Sequence, residues 1–217
     1  MKKLTVYFAA ILLYCGCANG QTSSNFAELP QPKPGEKVAD FGGGCFWSMS
    51  EALSELKGVD KVVSGYAGGT TRNPSYEEVC SESTGHAEVV QVYYDPKVIS
   101  YATLVQGFFS AHNPTELNRQ GPDVGASYRT IAFYRTPEEK AVIQNEINKI
   151  NASKHYDSPV VTQVVPFKVF YPAEKYHQGY YRLHLGENPY LTSVSQPKVE
   201  KFRKVMNADL KPEYRDK

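Results

Sequence analysis

The sequence predicts an α/β (α+β) fold: a two-layer sandwich with a mixed sheet of the split βαβ (ferredoxin-like) type, followed by a long C-terminal coil. Three observations predict it. Period-two apolar runs alternate with runs at helical spacing, in the order strand–helix–strand, strand–helix–strand, helix–strand. The helical runs carry caps and stop signals where the strands break off. No internal repeat is visible, and 217 residues make one ample domain rather than two.

Lys37 to Phe41 is a short apolar-leaning strand, and Gly42-Gly43-Gly44-Cys45-Phe46-Trp47 follows it directly. Met49, Ala52, Leu53 and Leu56 then recur at helical spacing, and Gly58 fits a C-terminal stop. Val59 to Tyr66 reads as a second strand, ended by Ala67-Gly68-Gly69. Thr70 to Ser83 reads as irregular, with Asn73-Pro74 as a turn. His86 to Asp95 alternates until Pro96 stops it. Glu88 shares parity with Val90, Val92 and Tyr94, but the opposite face, with Val89, Gln91 and Tyr93, is only slightly less apolar. Alternation alone therefore does not decide whether Glu88 is buried.

Ser100 caps a helix with Leu104, Val105, Phe108 and Phe109 inward, ended by Asn113-Pro114. Residues 113–127 read as a long polar loop, a length that is seldom idle. Tyr128 to Tyr134 is a further strand. Thr136-Pro137-Glu138-Glu139 is a capping box with proline at the first helical position, opening a helix with Ile143, Ile147 and Ile150 inward. Pro159 to Phe167 is the last expected strand. A tyrosine-rich coil runs on through Tyr190, and Lys198 to Met206 forms a short helix.

The N-terminus is expected to lie outside this domain, which spans 37–217. Lys2 and Lys3 precede an almost wholly apolar run from Leu4 to Tyr14, too short to span a bilayer, so residues 1–20 read as a secretory signal. Two endings fit. Ala18-Asn19-Gly20 suits ordinary cleavage before Gln21, and Gly16-Cys17 suits a lipoprotein with Cys17 acylated, the reading we favour. Residues 21–36 then form a Pro-rich tether. The protein is expected to be exported to the periplasm or cell envelope, touching the membrane only through that anchor. A net charge of +1 argues against nucleic acid as a partner.

Of 4 cysteines, only Cys45 and Cys80 fall in the domain, which is no disulfide framework. Cys45 should open a helix, where unpaired N–H groups and the macrodipole favour an anion, so its thiol is expected to ionise more easily than a free cysteine. Proton donors on offer are Glu88, Tyr76, Tyr128 and Asp123. The five histidines, His86, His112, His155, His177 and His184, show no metal-ligand spacing with a cysteine.

Gly43-Gly44-Cys45-Phe46-Trp47 and Gly65-Tyr66-Ala67-Gly68-Gly69 resemble the A-type peptide-methionine (S)-S-oxide reductases. So do the stretches Asn73 to Cys80, Thr84 to Glu88, Asn118 to Gly125 with Tyr128-Arg129, and Ala173 to Gln178, in the family's order. The resemblance implies that Cys45 attacks the sulfoxide sulfur of an oxidised methionine and becomes a sulfenic acid. It implies Glu88 as proton donor, Tyr76 and Tyr128 as hydroxyls holding the oxygen, and Phe46 and Trp47 as a cage for the ε-methyl group. Asp123 would organise the pocket and bind water, while Tyr176 and His177 would only shape it.

No cofactor or metal is implied. The partners would be oxidised proteins or peptides and a thiol reductant, thioredoxin or glutaredoxin-like, with the enzyme acting as a monomer. Many relatives resolve the sulfenic acid with a cysteine in the C-terminal tail, yet no cysteine follows Cys80 here. Direct reduction by an external thiol is therefore the leading expectation, and a Cys45–Cys80 disulfide the second. Asn113 stands where relatives often have Asp, which keeps the turn and drops a charge. Two other classes stay open from the residues alone: a cysteine acyl transferase or hydrolase using Cys45 with His86 or His177, and a non-enzymatic envelope lipoprotein.

Overall fold

The computed structural model describes residues 25–216. The expected signal, Cys17 and the first residues of the tether lie outside the described residues. The chain runs through β1 (Lys37–Gly42), α1 (Phe46–Ser54), β2 (Val59–Ala67), α2 (Tyr76–Cys80), β3 (Ala87–Tyr94) and α3 (Tyr101–Ser110). It continues through β4 (Arg119–Gln120), β5 (Asp123–Val124), β6 (Ile131–Tyr134), α4 (Pro137–Ser153), β7 (Gln163–Pro166) and β8 (Phe170–Pro172), then α5 (Tyr180–His184) and α6 (Gln196–Met206).

Six strands form one mixed sheet in the order β7-β6-β1-β3-β2-β8. Its inner four, β6-β1-β3-β2, are the expected split βαβ arrangement: β3 lies antiparallel between β1 and β2, and α1 crosses over it. β7 adds in parallel beside β6, and β8 antiparallel beside β2, which makes the sheet mixed.

Both faces of this sheet are apolar. Phe41, Val90 and Val92 join Met49, Leu53, Leu104, Phe108 and Phe202 in the main core, on the helix side. Val63, Val89, Tyr93, Ile131, Phe133 and Phe170 form a second cluster. Each such side chain contributes about 1.5–3 kcal/mol by leaving water. β3, central and covered twice, is buried along its whole length. That is why its alternation was ambiguous, and why Glu88 is buried whichever way parity is read.

The helices begin where their caps are. Ser100 Oγ accepts from Thr103 N–H, and Thr136 Oγ1 from Glu139 N–H. The supposedly irregular Thr70–Ser83 contains α2, opened by a capping box in which Ser75 Oγ accepts from Glu78 N–H and Glu78 accepts from Ser75 N–H. The loop 113–127 contains the β4–β5 hairpin and a 3-10 turn at Ala126–Tyr128. Tyr128 thus lies in that turn, and β6 starts only at Ile131.

The C-terminal region is less of a coil than expected, because β8, α5 and a π-helical turn at Leu191–Ser195 interrupt it. α6 packs against α1 and α3. There Arg203 donates to the wholly buried Glu55 through Nε at 2.9 Å and Nη2 at 2.6 Å. The tether is also held to the domain, by the Lys33–Asp60 ion pair and by backbone bonds near Ala173. Ala27 N–H donates to Ala173 O at 2.9 Å, and Lys175 N–H to Asn25 O at 2.8 Å.

Candidate active site

The site forms where β1 hands over to α1. Gly44 turns the chain at φ +78°, and its N–H donates to Tyr128 O at 3.1 Å. A Cβ there would sit 2.6 Å from Gln120 Cγ, and one at Gly43 would sit 2.8 Å from the His112 ring. Only glycine allows both the left-handed turn and the close approach. The turn delivers Cys45 to the N-cap position of α1, buried, with no side-chain capping bond. Its sulfur faces the Trp47 backbone N–H and the Tyr190 hydroxyl.

Glu88 reaches the same helix end from β3. Its Oε2 accepts from Phe46 N–H at 2.9 Å. Glu88 therefore satisfies a first-turn donor that a helix cannot satisfy itself. Burial pushes the Glu88 carboxyl up to about 8, against the pull of that N–H, with Asp123 and Glu82 raising it further. At neutral pH it holds a proton.

The expectation of an acidic thiol is not met in the resting protein. Burial pushes the Cys45 thiol well above its ordinary value, and the neighbouring Glu88 pushes the same way. The Trp47 N–H and the Tyr190 hydroxyl favour the anion but do not outweigh desolvation. A helix end acidifies a thiol that water can also reach. Here the sulfur is buried, and both it and Glu88 rest neutral.

Tyr76, at the start of α2, and Tyr128 both lie within electrostatic reach of Glu88. Burial raises the pKa of both hydroxyls, Tyr128 next through Glu88 and Tyr76 through Cys80 and then Glu88. Both remain donors throughout the working pH range. Arg129 fixes the turn carrying Tyr128, donating to Ala126 O at 2.8 Å and Gly85 O at 3.0 Å. Glu82 adds a bond from Ser127 Oγ at 2.6 Å. Glu174 holds α2 in place by accepting from Tyr76 N–H at 2.9 Å and from Tyr66 Oη at 3.0 Å.

The apolar wall is Phe46, buried under Tyr66, and Trp47, stacked on Tyr180 with ring centres 3.9 Å apart. Asp123, on β5, accepts from Tyr190 Oη at 2.7 Å and lies 3.7 Å from Lys198 Nζ on α6. All seven residues expected at the site thus lie around one helix end. Sequence reasoning missed Tyr190, which touches both Cys45 and Asp123; it read only as part of the Asn-Pro-Tyr turn, where Asn188 Oδ1 does accept from Tyr190 N–H at 2.9 Å. It also missed Lys198, which only the packing of α6 brings in.

The remaining candidates have other employment. His86 accepts from Gly69 N–H at Nδ1, 3.1 Å, and bonds Thr71 O through Nε2 at 2.8 Å. His177 accepts from Trp47 Nε1 at 3.1 Å. Neither is set as a base for Cys45. Cys80 is exposed and free.

A neutral carboxylic acid beside a thiol, two hydroxyl donors and an aromatic wall suit a substrate with one polar oxygen on an apolar centre. The comparisons agree. The family model for peptide methionine sulfoxide reductase matches residues 37–210. Peptide methionine sulfoxide reductase MsrA of Leptospira borgpetersenii is 48% identical over 166 residues, 76% of this chain and 93% of that protein. MsrA of Thermus thermophilus is 46% identical over 177 residues, 82% of this chain and 99% of that one. Among solved structures, reduced Mxr1 of Saccharomyces cerevisiae superposes with TM-score 0.67 and 30% identity, covering 73% of this chain and 91% of its own. Methionine sulfoxide reductase A of Corynebacterium diphtheriae gives 0.65 and 31%, covering 75% and 87%. The chain belongs to the MsrA family of peptide methionine sulfoxide reductases and reduces methionine sulfoxide.

Proposed function

We propose that one buried proton relay drives the chemistry, with Cys45 as nucleophile and Glu88 as acid and then base. The observation that carries this reading is Glu88, protonated at neutral pH and clamped to Phe46 N–H beside Cys45. Cys45 Sγ attacks the sulfoxide sulfur while Glu88 gives its proton to the sulfoxide oxygen. The thiol proton passes to Glu88, which is thereby restored. The attack makes an S–S bond and leaves a hydroxyl on the substrate sulfur; as that S–S bond and the S–O bond break, the hydroxyl passes to Sγ, giving the Cys45 sulfenic acid and neutral methionine. Because no net charge enters the pocket, burial of the two acids does not oppose the step.

Tyr76 and Tyr128 donate to the oxygen as charge collects on it. Phe46 and Trp47 hold the ε-methyl group, which with the oxygen and the peptide arm fixes three substituents and selects the S epimer. Asp123, tied to Tyr190 and Lys198, organises the far wall.

External thiols return Cys45 to its starting state. Two thiols consume the sulfenic acid and leave a disulfide and water, and no second cysteine of this chain is needed. Cys45 is buried and Cys80 exposed, both as free thiols, which supports this route over an internal disulfide. A thioredoxin-like dithiol is the reductant by chemistry. Its solved-structure relative Mxr1 of Saccharomyces cerevisiae occurs in complex with Trx2, at 22% identity in that structure. The basic and apolar leader-like composition of residues 1–20 supports repair of oxidised proteins and peptides in the cell envelope, with Cys17 as a lipid anchor, and the domain acts as a monomer.

The deciding experiment is turnover of the two epimers of dabsyl-methionine sulfoxide by wild type and Cys45→Ser, with dithiothreitol, thioredoxin and glutaredoxin in turn. Wild type consumes the S epimer only, and the variant consumes neither. Turnover of the R epimer at a comparable rate would overturn the cage assignment, and activity of Cys45→Ser would overturn the nucleophile.

A further inference from the structure

We propose that His177 is a positioning residue for the reaction: its Nδ1 fixes the Trp47 indole, and with it the wall that holds the substrate's methyl group. This rests on the reading of Trp47 as part of that cage.

An indole N–H is a donor only and needs an acceptor when it leaves water. Trp47 Nε1 finds it in His177 Nδ1 at 3.1 Å. Nδ1 can accept only if it carries no proton, so the ring proton sits on Nε2. That Nε2 is buried and has no hydrogen-bond partner. The nearest carboxylate oxygen, Glu174 Oε2, lies 3.8 Å away, too far for a bond. The same oxygen accepts from Tyr66, and Oε1 from Tyr76 N–H. A buried N–H left unmade costs about 1–3 kcal/mol, which a wholly apolar ring would avoid. The acceptor on the other side of the ring is what an apolar ring could not supply.

The ring's surroundings point the same way. It packs on Phe46 with centres 4.9 Å apart and on Tyr76 at 4.5 Å, with Trp47 at 5.9 Å. One imidazole thus touches both cage aromatics and one of the two oxygen-side tyrosines. Burial lowers its pKa to about 4, so it stays a neutral acceptor in the working range. His177 itself makes no bond to Cys45 or Glu88. It acts through Trp47, whose other face is fixed by Tyr180.

Trp47 is the only tryptophan in the chain, so its indole N–H gives one proton resonance. The test compares full-length wild type, His177→Leu and His177→Asn for that resonance and for kinetics on the S epimer. Asn can present its amide oxygen near the place of Nδ1. His177→Leu should move the resonance upfield and raise KM about 5-fold, the weight of one neutral hydrogen bond, with kcat changed less. His177→Asn should recover most of both losses. In a double-mutant cycle, adding His177→Leu to Trp47→Phe should cost nothing further in KM.

An unmoved resonance in His177→Leu, an Asn variant no better than Leu, or an additive double variant would overturn the proposal. An unchanged KM in Trp47→Phe, with the His177→Leu resonance still shifted, would instead overturn the cage reading. Should His177→Leu fail to fold, nitrogen shifts of the wild-type imidazole decide: a proton on Nδ1 refutes the arrangement.

Discussion

Replacing Glu88 by Gln removes one proton and little else. The Gln carbonyl can still accept from Phe46 N–H, the 2.9 Å bond that orients Glu88. The amide can still donate a hydrogen bond to the sulfoxide oxygen, but it cannot transfer the proton. General acids contribute about 10²–10⁴-fold, and the retained donor argues for the lower end. We therefore expect kcat/KM on the S epimer to fall about 100-fold, measured under excess dithiothreitol so that regeneration is not limiting.

The pH dependence separates this from a packing effect. Glu88 titrates at about 8, so wild-type kcat/KM should decline above that pH, and the Gln variant should lack the decline. Stability carries the same signature. The carboxyl is protonated in the folded chain up to about 8, while in the unfolded chain it ionises near 4.5. The folded state binds the extra proton between these values, so wild-type stability falls as pH rises through that window, by at most about 5 kcal/mol. Glu88→Gln should flatten that slope. A variant within threefold of wild type, or one that keeps the alkaline decline, would refute the relay.

Three other perturbations test separate parts of the molecule. One turnover without reductant should leave Cys45 as a dimedone-reactive sulfenic acid in both wild type and Cys80→Ser; a mass loss of two hydrogens joining Cys45 to Cys80 would establish the internal disulfide instead. Gly44→Ala, strained at φ +78° and placed against Gln120, should lower stability by about 1–3 kcal/mol in urea unfolding and reduce activity with it, because the same turn seats Cys45. Arg203→Leu leaves the buried Glu55 carboxyl without its guanidinium partner, which should cost about 3–5 kcal/mol; a loss under 1 kcal/mol in thermal unfolding would mean that Arg203 does not hold α6 to α1.

Local signals in the sequence were enough for the inner sheet and its crossing helices, because caps, glycine stops and alternating runs act over a few residues. The capping box at Ser75 was equally local, and α2 was readable from it, yet Asn73-Pro74 drew the stretch toward a turn. The short β8 and the β4–β5 hairpin were not readable, since two or three residues carry no period and pair only because a partner edge is present. Cys45, Glu88, Tyr76, Tyr128, Phe46, Trp47 and Asp123 were named together from motifs that resemble one family, and the fold brings them around one helix end.

What those groups are like was decided by burial. A helix N-terminus predicts an acidic thiol from nearest neighbours alone, whereas desolvation sums over everything packed above the sulfur, including residues far along the chain. Tyr190 and Lys198 entered the site on the same terms, and His177, expected only to shape the pocket, gained its indole partner there: the return of the C-terminal segment across α1 supplies each contact. Sequence determined which chemistry this chain carries. The tertiary structure decided where its protons rest, because a charge is stabilised or excluded by the whole volume around it.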